Sequence, residues 1–318
     1  MLIDCHNHVG VELSAYLRGE FPYGQHLATM VAEGGALGID RWVVFPMVTY
    51  LALDLAALRS GVIHLESPLE RVPYAFENRR LLEEVHELFP TEGARVWPFV
   101  MVDPERGIEG QVAALRALRQ EYRFDGIKLQ TTMIQARVKK LLSEGRVFLE
   151  LAEEWNLPML IHSSVLPSDV WAQAEDILDI VEQTPKVRFC LAHSCRFDRV
   201  SLDRLRSLPN AWFDCSAHGI HCRLAAAEDP NVAQAERRFD SDYTDPERVL
   251  RDLAEAYPDK FLWGSDSPYY SFVGRSGGKF FSLRSSYEDE TRWLLELPAN
   301  LRKRVSETNT LAFLGTKP

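Results

Sequence analysis

The sequence predicts one α/β domain of the (β/α)8 or TIM-barrel class, spanning residues 1–318 with loop insertions. Short, continuously apolar segments alternate with amphipathic helical segments, a pattern typical of a parallel sheet with right-handed crossovers. Eight such apolar segments follow one another along the chain, and eight units close naturally into a barrel. An open doubly wound sheet is the competing architecture, but no Gly-x-Gly-x-x-Gly loop follows any of these segments.

The first half of the chain contains three of the predicted strands and one long insertion. The strands are the first eight residues, 41–46 and 95–101. The predicted segments between them are a polar, aromatic loop at 16–23, a helix at 26–37 that ends at Gly38, a short helix at 51–59 and a helix at 77–89. The stretch 47–74 is long enough to be an insertion, and insertions of this size often act as binding loops or lids.

From residue 108 onward the alternation is regular, and each amphipathic helix precedes a short apolar strand. The predicted pairs are 108–121 with 126–129, 145–155 with 158–162, 171–183 with 187–193, 202–208 with 211–215, and 246–257 with 261–266.

The amino-acid composition restricts the kinds of molecule that the protein is expected to bind. The formal charge is -10 and no Lys/Arg-rich run is present, which argues against nucleic acids and anionic membranes and favours a small molecule. No apolar run approaches the roughly 20 residues of a membrane span, so a soluble, cytoplasmic protein is expected. Five cysteines without regular spacing suit reduced packing residues better than disulfides. A homodimer is the default expectation for oligomeric state.

Two histidines at the end of the first predicted strand are the starting point for a site. Alternate side chains of a strand share a face, so His6 and His8 point the same way, with Asp4 behind them. Two converging imidazoles form half of a metal site, because zinc and similar cations bind neutral imidazole and usually need one or two further ligands. The alternative is a His-x-His that only ends the strand.

Polar residues also stand where other predicted strands finish, and in a barrel those ends converge on one mouth. The fourth strand contributes Lys128, the fifth His162, the sixth His193 and the eighth Asp266. Each alone could be a hydrogen-bonded core residue, and Asp266 could cap a helix. Scattered core histidines would not fall repeatedly on one rim, so the set predicts a functional site.

Residues in two loops near the predicted mouth are candidates for substrate binding. His218 and His221 follow the seventh strand, and Arg275 or Lys279 could meet an anionic group from a flexible glycine-rich loop beyond the eighth strand. That loop, 274–278, matches Gly-x-Ser-x-Gly, but no apolar strand directly precedes it and no histidine follows it. The Ser-acid-His order of an α/β-hydrolase is therefore excluded.

These motifs together resemble the amidohydrolase superfamily. The resemblance is carried by Asp4-Cys-His6-Asn-His8, His162 in Ile-His-Ser, His193 in Leu-Ala-His-Ser and Asp266 in Trp-Gly-Ser-Asp-Ser-Pro, and it extends to the closing Glu307-Thr-Asn309-Thr-Leu-Ala-Phe313. The branch that it resembles most is the "amidohydrolase 2" group of metal-dependent barrel hydrolases, which also contains aminocarboxymuconate-semialdehyde decarboxylase. Order and spacing are specific to the superfamily and not to a substrate.

The resemblance implies that His6, His8, His162 and Asp266 hold one divalent metal ion, with zinc expected and manganese as the alternative. A cation held by three neutral imidazoles and one carboxylate lowers the pKa of a bound water. Asp266 could also accept a proton from that water, and His193 would contact the water or the substrate as an acid or base. A mononuclear site is expected, with Lys128 as a charge partner for substrate or a structural residue. The alternative is a second metal bridged by a carboxylated Lys128.

The expected function is hydrolysis of an amide or lactone bond of a small molecule by metal-activated water. A non-oxidative decarboxylase of a small unsaturated or aromatic carboxylic acid is the first alternative, because it would use the same fold and residues. The second is a barrel that has lost catalysis and serves as a binding protein. A missing ligand would indicate this second case, and none is missing.

Overall fold

Eight parallel strands follow one another in one nine-stranded curved sheet of the computed structural model, which describes residues 1–48, 72–276 and 279–316. The remaining strand of this sheet, Gly24–Gln25, pairs antiparallel with the first. Each of the eight strands pairs in parallel with the one before it, so the predicted (β/α)8 class is confirmed. We number them β1 to β8 in chain order: Ile3–Val11, Arg41–Pro46, Val96–Met101, Gly126–Leu129, Met159–Ile161, Phe189–Leu191, Ala211–Asp214 and Phe261–Leu262.

The last strand returns to the first through single backbone hydrogen bonds beyond the short β8 ladder. The amide of Asp266 donates to the carbonyl of His6 at 3.0 Å, and the amide of His8 donates to the carbonyl of Ser267 at 2.7 Å. These bonds close the barrel and fix the chain that follows β8 against the end of β1. They also place Asp266 next to the two histidines of β1.

Two apolar cores lie on the two faces of the sheet, as period-two strands require. Inside the barrel, residues such as Phe99 and Leu160 pack with Leu311 and Phe313 of the last helix. Outside it, strand residues such as Ile161 pack against the amphipathic helices. The two cores therefore alternate along each strand and leave the carboxyl ends of the strands to carry polar side chains.

The helices lie between consecutive strands in the described residues, apart from those at the C-terminal end. They are Leu13–Arg18, Leu27–Ala36, Ala75–Glu83, Pro90–Gly93, Ile108–Glu121, Thr131–Ile134, Arg146–Glu154, Ala174–Gln183, Arg199–Ser207, His218–Ala226, Pro246–Ala256, Tyr287–Leu295, Ala299–Lys303 and Asn309–Leu314. Shorter helical turns of the π or 3-10 kind are Glu84–Leu88, Val138–Leu142 and Arg304–Thr308, whereas His193–Phe197 is a left-handed turn. None of the helices in these residues is long and apolar enough to cross a membrane.

Three segments differ from the sequence prediction. His218 and His221, predicted in a loop, lie in the helix His218–Ala226. The predicted loop at 16–23 overlaps the end of a helix, Leu13–Arg18. The segment predicted as a flexible glycine-rich loop is an antiparallel hairpin of Phe272–Ser276 and Lys279–Leu283, because its aromatic residues pair across the strands, as Phe272 and Phe281 do with rings 4.9 Å apart. The predicted helix at 51–59 falls outside the described residues.

Candidate active site

Three of the predicted ligands converge at the junction of β1 and β8. Nε2 of His6 and Nε2 of His8 each lie 3.3 Å from Oδ1 of Asp266, and one ligand atom from each residue falls within 4.8 Å of the others. All three side chains are buried, with at most 6% exposed. We refer to His6, His8 and Asp266 as the ligand group.

The ligand group fits a divalent cation. Oδ1 of Asp266 is buried between two imidazole nitrogens and makes no hydrogen bond with any described residue. Burial lowers the pKa of His8 to about 4, although Asp266 opposes the shift, so this imidazole is neutral and can donate its lone pair. Two imidazoles and a carboxylate form a donor set that zinc and similar cations accept.

A β-bulge turns both histidines into the barrel. Between Asp4 and Asn7, β1 contains one residue more than the stretch of β2 that it pairs with. Ile3 and Cys5 belong to the interior core, and without the bulge the next residues of even number would face outward. After the bulge, His8 pairs opposite the interior residue Phe45, whose ring lies 4.5 Å from that of His8.

Asp214, at the end of β7, orients His6. Its Oδ2 lies 2.9 Å from Nδ1 of His6, and Oδ1 accepts from the backbone amides of His193 and Ser216 at 3.1 and 3.0 Å. Burial would raise the pKa of Asp214, but His6, Ser216 and Lys128 outweigh it and hold that pKa below its usual range. The ionised carboxylate only accepts, so Nδ1 of His6 carries a hydrogen and Nε2 is the nitrogen that faces the ligand group.

Asp4 joins the ends of the first and last strands. It accepts hydrogen bonds from the amide and hydroxyl of Ser265 at 2.9 and 2.6 Å, and from the hydroxyl of Tyr287 at 2.8 Å. The indole of Trp42 donates to that hydroxyl at 2.8 Å. Burial raises the pKa of Asp4 to about 6 in spite of these bonds. Asp4 thus fixes the segment before His6 against the segment before Asp266.

Lys128 lies beside the ligand group, as its place at the end of β4 predicts. Its Nζ is 3.3 Å from Nε2 of His6 and 4.7 Å from the centre of the Phe45 ring. Burial lowers its pKa to about 8, with Asp214 and Asp266 opposing the shift. The ammonium is therefore one hydrogen-bond length from an atom of the ligand group.

A second group of side chains surrounds His162, at the end of β5. Nδ1 of His162 lies 2.9 Å from Nε2 of His193 and 3.0 Å from Nε2 of Gln130, and Arg196 donates from Nη2 to Nε2 of His162 at 2.9 Å. Nη1 of Arg196 contacts Nε2 of His221. We refer to His162, His193, Arg196 and His221 as the arginine group. Both nitrogens of His162 are engaged there, so the structure does not bring this residue into the ligand group.

Arg196 is the charged member of the arginine group. Burial and the guanidinium charge lower the pKa of His162, His193 and His221 well below 6.5, so their imidazoles are neutral at neutral pH. Burial lowers the pKa of Arg196 to about 10, against the stabilising effect of more distant acids such as Asp266, and the guanidinium stays protonated at neutral pH.

A left-handed turn after β6 places Arg196 among the imidazoles. Each non-glycine residue in this conformation costs about 1–2 kcal/mol. Backbone hydrogen bonds from other segments hold the turn, such as those from Ala233 N to Arg196 O and from Phe239 N to Phe197 O at 2.9 and 2.8 Å. The consecutive positive φ angles are 61° at His193, 50° at Ser194, 48° at Cys195, 56° at Arg196 and 63° at Phe197.

His193 connects the two groups. Its Nδ1 lies 3.9 Å from Oδ2 of Asp266, its ring lies 5.4 Å from that of His6, and its Nε2 faces His162. Nδ1 also faces the carbonyl oxygen of Ser216 at 3.0 Å. A molecule bound at either group would therefore approach His193, which is the position predicted for an acid or base.

The other predicted substrate residues lie apart from both groups. Nε2 of His218 donates to the carbonyl of Pro246 at 2.7 Å, and its ring packs against Trp293 at 5.8 Å. Arg275 is exposed on the hairpin, paired opposite Phe280. No contact among the described residues joins either side chain to the ligand group, and their roles stay predictions. Of the two histidines after β7, it is His221 that reaches the site.

Sequence reasoning missed Asp214 and Arg196. Asp214 ends β7, so the rule that selected polar residues at strand ends also applies to it. Arg196 follows His193 by three residues, and no local motif indicates that the chain turns left-handed there without a glycine.

A cavity of about 700 Å³ lies against the chain that follows β8. Phe21–Gly24 and the residues after β8 line it, among them Pro268 and Tyr270. Tyr269, between those two, packs its ring 5.1 Å from that of His8. The cavity therefore lies against the same chain segment that carries Asp266, and its lining is largely aromatic and apolar.

The fold and the site define a (β/α)8 barrel with a histidine–aspartate group suited to a divalent cation. A family model described as amidohydrolase matches residues 3–316. The chain belongs to this amidohydrolase family, and the resemblance seen in the sequence is confirmed. Comparison with curated protein sequences gives no match.

Solved structures of similar fold include enzymes of two kinds. An amidohydrolase from Burkholderia multivorans is 14% identical over 100% of both chains, with a TM-score of 0.65 in a HEPES-bound structure and 0.59 in a zinc-bound one. A probable 2-pyrone-4,6-dicarboxylic acid hydrolase from Acinetobacter baumannii, with citric acid bound, is 13% identical over 99% of both chains, with a TM-score of 0.56. The 2,6-dihydroxybenzoate decarboxylase from Rhizobium is 13% identical over 99% of this chain and 98% of that chain, with a TM-score of 0.58.

Proposed function

We propose that this protein hydrolyses an amide or lactone bond of a small molecule, with one divalent cation held by His6, His8 and Asp266. The observation that carries the proposal is the buried Oδ1 of Asp266, 3.3 Å from both imidazole nitrogens and without a hydrogen bond among the described residues. Zinc is the proposed ion and manganese the alternative, and a zinc-bound structure of the Burkholderia multivorans amidohydrolase supports zinc. A cation bound there would polarise a carbonyl group and lower the pKa of a water molecule.

The two oxygens of Asp266 have different neighbours, which suits two tasks. Oδ1 faces the imidazoles of the ligand group, whereas Oδ2 lies 3.9 Å from Nδ1 of His193. The first oxygen can hold the cation while the second accepts a proton from the attacking water. This division supports the proposed role of Asp266 as both ligand and base.

His193 is the proposed acid or base next to the reacting bond. Its Nδ1 faces the carbonyl oxygen of Ser216 at 3.0 Å, and that oxygen can only accept, so Nδ1 carries the hydrogen. Nε2 is then the basic atom and accepts from Nδ1 of His162, whose own Nε2 accepts from Arg196. The contacts of Arg196 and Ser216 thereby fix which nitrogen of each imidazole can take up a proton.

His162 and Lys128 have secondary places in the proposal. His162 is the proposed fourth ligand, and it must give up a hydrogen bond of the arginine group to bind a cation, because both its nitrogens are engaged. Lys128, at 3.3 Å from Nε2 of His6, is the proposed charge partner for the substrate in a mononuclear site.

Non-oxidative decarboxylation of a carboxylic acid is the second candidate. It is favoured by the guanidinium of Arg196 beside His193, since a cation there can hold a carboxylate while the imidazole moves a proton. A structural neighbour is named as a decarboxylase of 2,6-dihydroxybenzoate, which supports this reaction on the same fold. A barrel without catalysis is not supported, because the described residues retain the ligand group.

Metal analysis followed by product analysis tests the proposal. Protein purified without chelator is expected to carry about one equivalent of zinc or manganese, and to act on members of a panel of lactones, amides and unsaturated acids. Hydrolysis places oxygen from labelled water in the product. Release of carbon dioxide, with solvent hydrogen on the vacated carbon, would favour the decarboxylase instead, and turnover of no compound by the metal-loaded protein would reject both.

A further inference from the structure

Arg196 carries a charge that no nearby acid among the described residues neutralises. Its guanidinium contacts His162, His221 and the carbonyl of Ser163, and no carboxylate of the described residues lies within 4.0 Å of it. Arginines of the neighbouring loop differ, since Arg237 pairs with Asp198 at 2.8 Å and Arg238 pairs with Glu228. A largely buried cation with only neutral contacts is costly unless something else compensates it.

The backbone is strained in order to hold this cation at the mouth. The turn at His193–Phe197 is left-handed without a glycine, and it directs Arg196 between two imidazoles, where the residue keeps a partly exposed face. Strain of this kind persists where the surrounding structure imposes it, and it concentrates at sites that bind or react. Partial exposure means that a ligand from the mouth can reach the guanidinium.

We propose that Arg196 binds a carboxylate of the substrate, so that the bond to be cleaved belongs to an organic acid. This inference rests on the proposed function and names its substrate class. Nη1 and Nη2, which now donate to His221 and His162, would donate in parallel to the two carboxylate oxygens. A carboxylate brings the opposite charge and accepts two parallel bonds from one guanidinium, whereas each neutral imidazole accepts a single bond, so the carboxylate displaces the imidazoles as acceptor.

The charges favour a singly charged, planar anion. One guanidinium balances one carboxylate, and the acids Asp266 and Asp169 act on Arg196 from beyond 4.0 Å, which disfavours a doubly charged group such as phosphate. His193 lies 2.9 Å from His162 on one side and 3.9 Å from Asp266 on the other. A small molecule whose acid group binds Arg196 therefore extends past His193 to the ligand group.

A binding experiment tests the inference without any turnover. Acetate and benzoate are titrated calorimetrically into metal-loaded and metal-free protein, each against its neutral amide, acetamide or benzamide. We expect the carboxylates to bind more tightly than the amides in both forms, and Arg196→Gly to weaken carboxylate binding roughly 10- to 100-fold. Arg196→Lys keeps the charge but cannot donate two parallel hydrogen bonds, so it should recover part of the loss. Arg199→Gln changes an exposed arginine three residues away and should bind like the unmodified protein.

Glycine is the informative replacement because it adopts the φ of 56° at this position freely, so Arg196→Gly should keep the turn and the fold. Unchanged thermal unfolding of this variant separates loss of binding from loss of structure. Equal affinity for carboxylates and amides, or an Arg196→Gly variant that binds both carboxylates normally, would overturn the inference.

Turnover distinguishes failure of this inference from failure of the proposed function. A lactone or amide that carries a free carboxylate is compared with its methyl ester. We expect Arg196→Gly to raise the KM of the acid by a larger factor than that of the ester, because only the acid loses a carboxylate contact, whereas the change at His162 is common to both substrates. Hydrolysis of acid and ester with equal efficiency would leave the hydrolase standing and remove the role of Arg196. If neither is hydrolysed, the proposed function fails while the calorimetry still decides the carboxylate site.

Discussion

Different interactions orient the side chains on the two sides of the barrel mouth. The ligand group, at β1 and β8, is oriented by ionised or hydrogen-bonded acids: Asp214 holds His6, and Asp4 joins the two strand ends through Ser265. The arginine group, after β5 and β6, contains neutral imidazoles that contact one another and a cation held by strained backbone. One side has excess negative charge and the other excess positive charge.

This difference indicates that the two sides of the site suit different ligands. Acids behind a histidine increase its basicity and fix its tautomer, which suits a residue that binds a cation. A guanidinium without an acid partner suits a residue that binds an anion. We infer that the β1 and β8 side would hold the metal and the β5 and β6 side the organic acid, with His193 between them.

His6→Ala should give the largest effect and tests the ligand side. We expect loss of the bound ion and a decrease in activity of roughly 10³-fold or more, because a bound cation contributes several kcal/mol to charge stabilisation. Metal content and kcat/KM are the measurements. His86→Ala, which changes a half-buried histidine away from the mouth that bonds to the carbonyl of Arg123, is the matched control and should retain both.

His193→Ala should separate metal binding from turnover. We expect near-stoichiometric metal with activity lower by roughly 10²- to 10⁴-fold, the range for a positioned acid or base. Metal analysis and kinetics on one preparation are sufficient. Loss of the ion in this variant would make His193 a ligand and erase the boundary between the two groups, and unchanged turnover would remove it from the mechanism.

Asp214→Asn should have a moderate effect on the ligand side. The asparagine side chain is an uncharged acceptor for His6, so we expect metal affinity to decrease roughly 10- to 100-fold. This is the usual effect of losing a residue that hydrogen-bonds to a metal ligand. Competition with a chelator measures this affinity. Ser216→Ala is the control, since it removes a hydroxyl that donates to the same carboxylate at 2.5 Å without changing its charge, and it should weaken binding less.

Two serine substitutions should give the smallest effects, of opposite sign. Ser265→Ala removes the 2.6 Å bond to Asp4 and should lower the free energy of unfolding by about 1.5–3 kcal/mol. Ser194→Gly should raise it by about 0.5–1 kcal/mol, because glycine relieves the strain at a φ of 50° but loses more chain entropy on folding. Denaturant unfolding measures both, and destabilisation by Ser194→Gly would show that the left-handed turn is not strained.

The sequence predicted the strand order and the residues at strand ends because both depend on local patterns. Apolar runs located all eight barrel strands, and the rule for strand ends selected His6, His8 and Asp266, which the structure brings together, with His193 beside them. The roles of these residues stay predictions. The hairpin at Phe272–Leu283 was wrongly predicted as a flexible loop, because glycines obscured an alternation that cross-strand aromatic pairs stabilise.

Features that depend on long-range contacts could not be predicted. The bulge in β1 is a property of its pairing with β2, and it decides which face His8 occupies. The turn that carries Arg196 is stable only because chain segments some 40 residues away bond to its carbonyls. The position of His162, with both nitrogens engaged by the arginine group, likewise depends on that turn.

Anomalous diffraction at the absorption edge of zinc, from crystals of the zinc-loaded protein, tests the division of the mouth most directly. The account predicts one peak per chain, at about 2.0–2.2 Å from Nε2 of His6, Nε2 of His8 and Oδ1 of Asp266. A peak that lies among the imidazoles of the arginine group, or a pair of peaks bridged by Lys128, would contradict it.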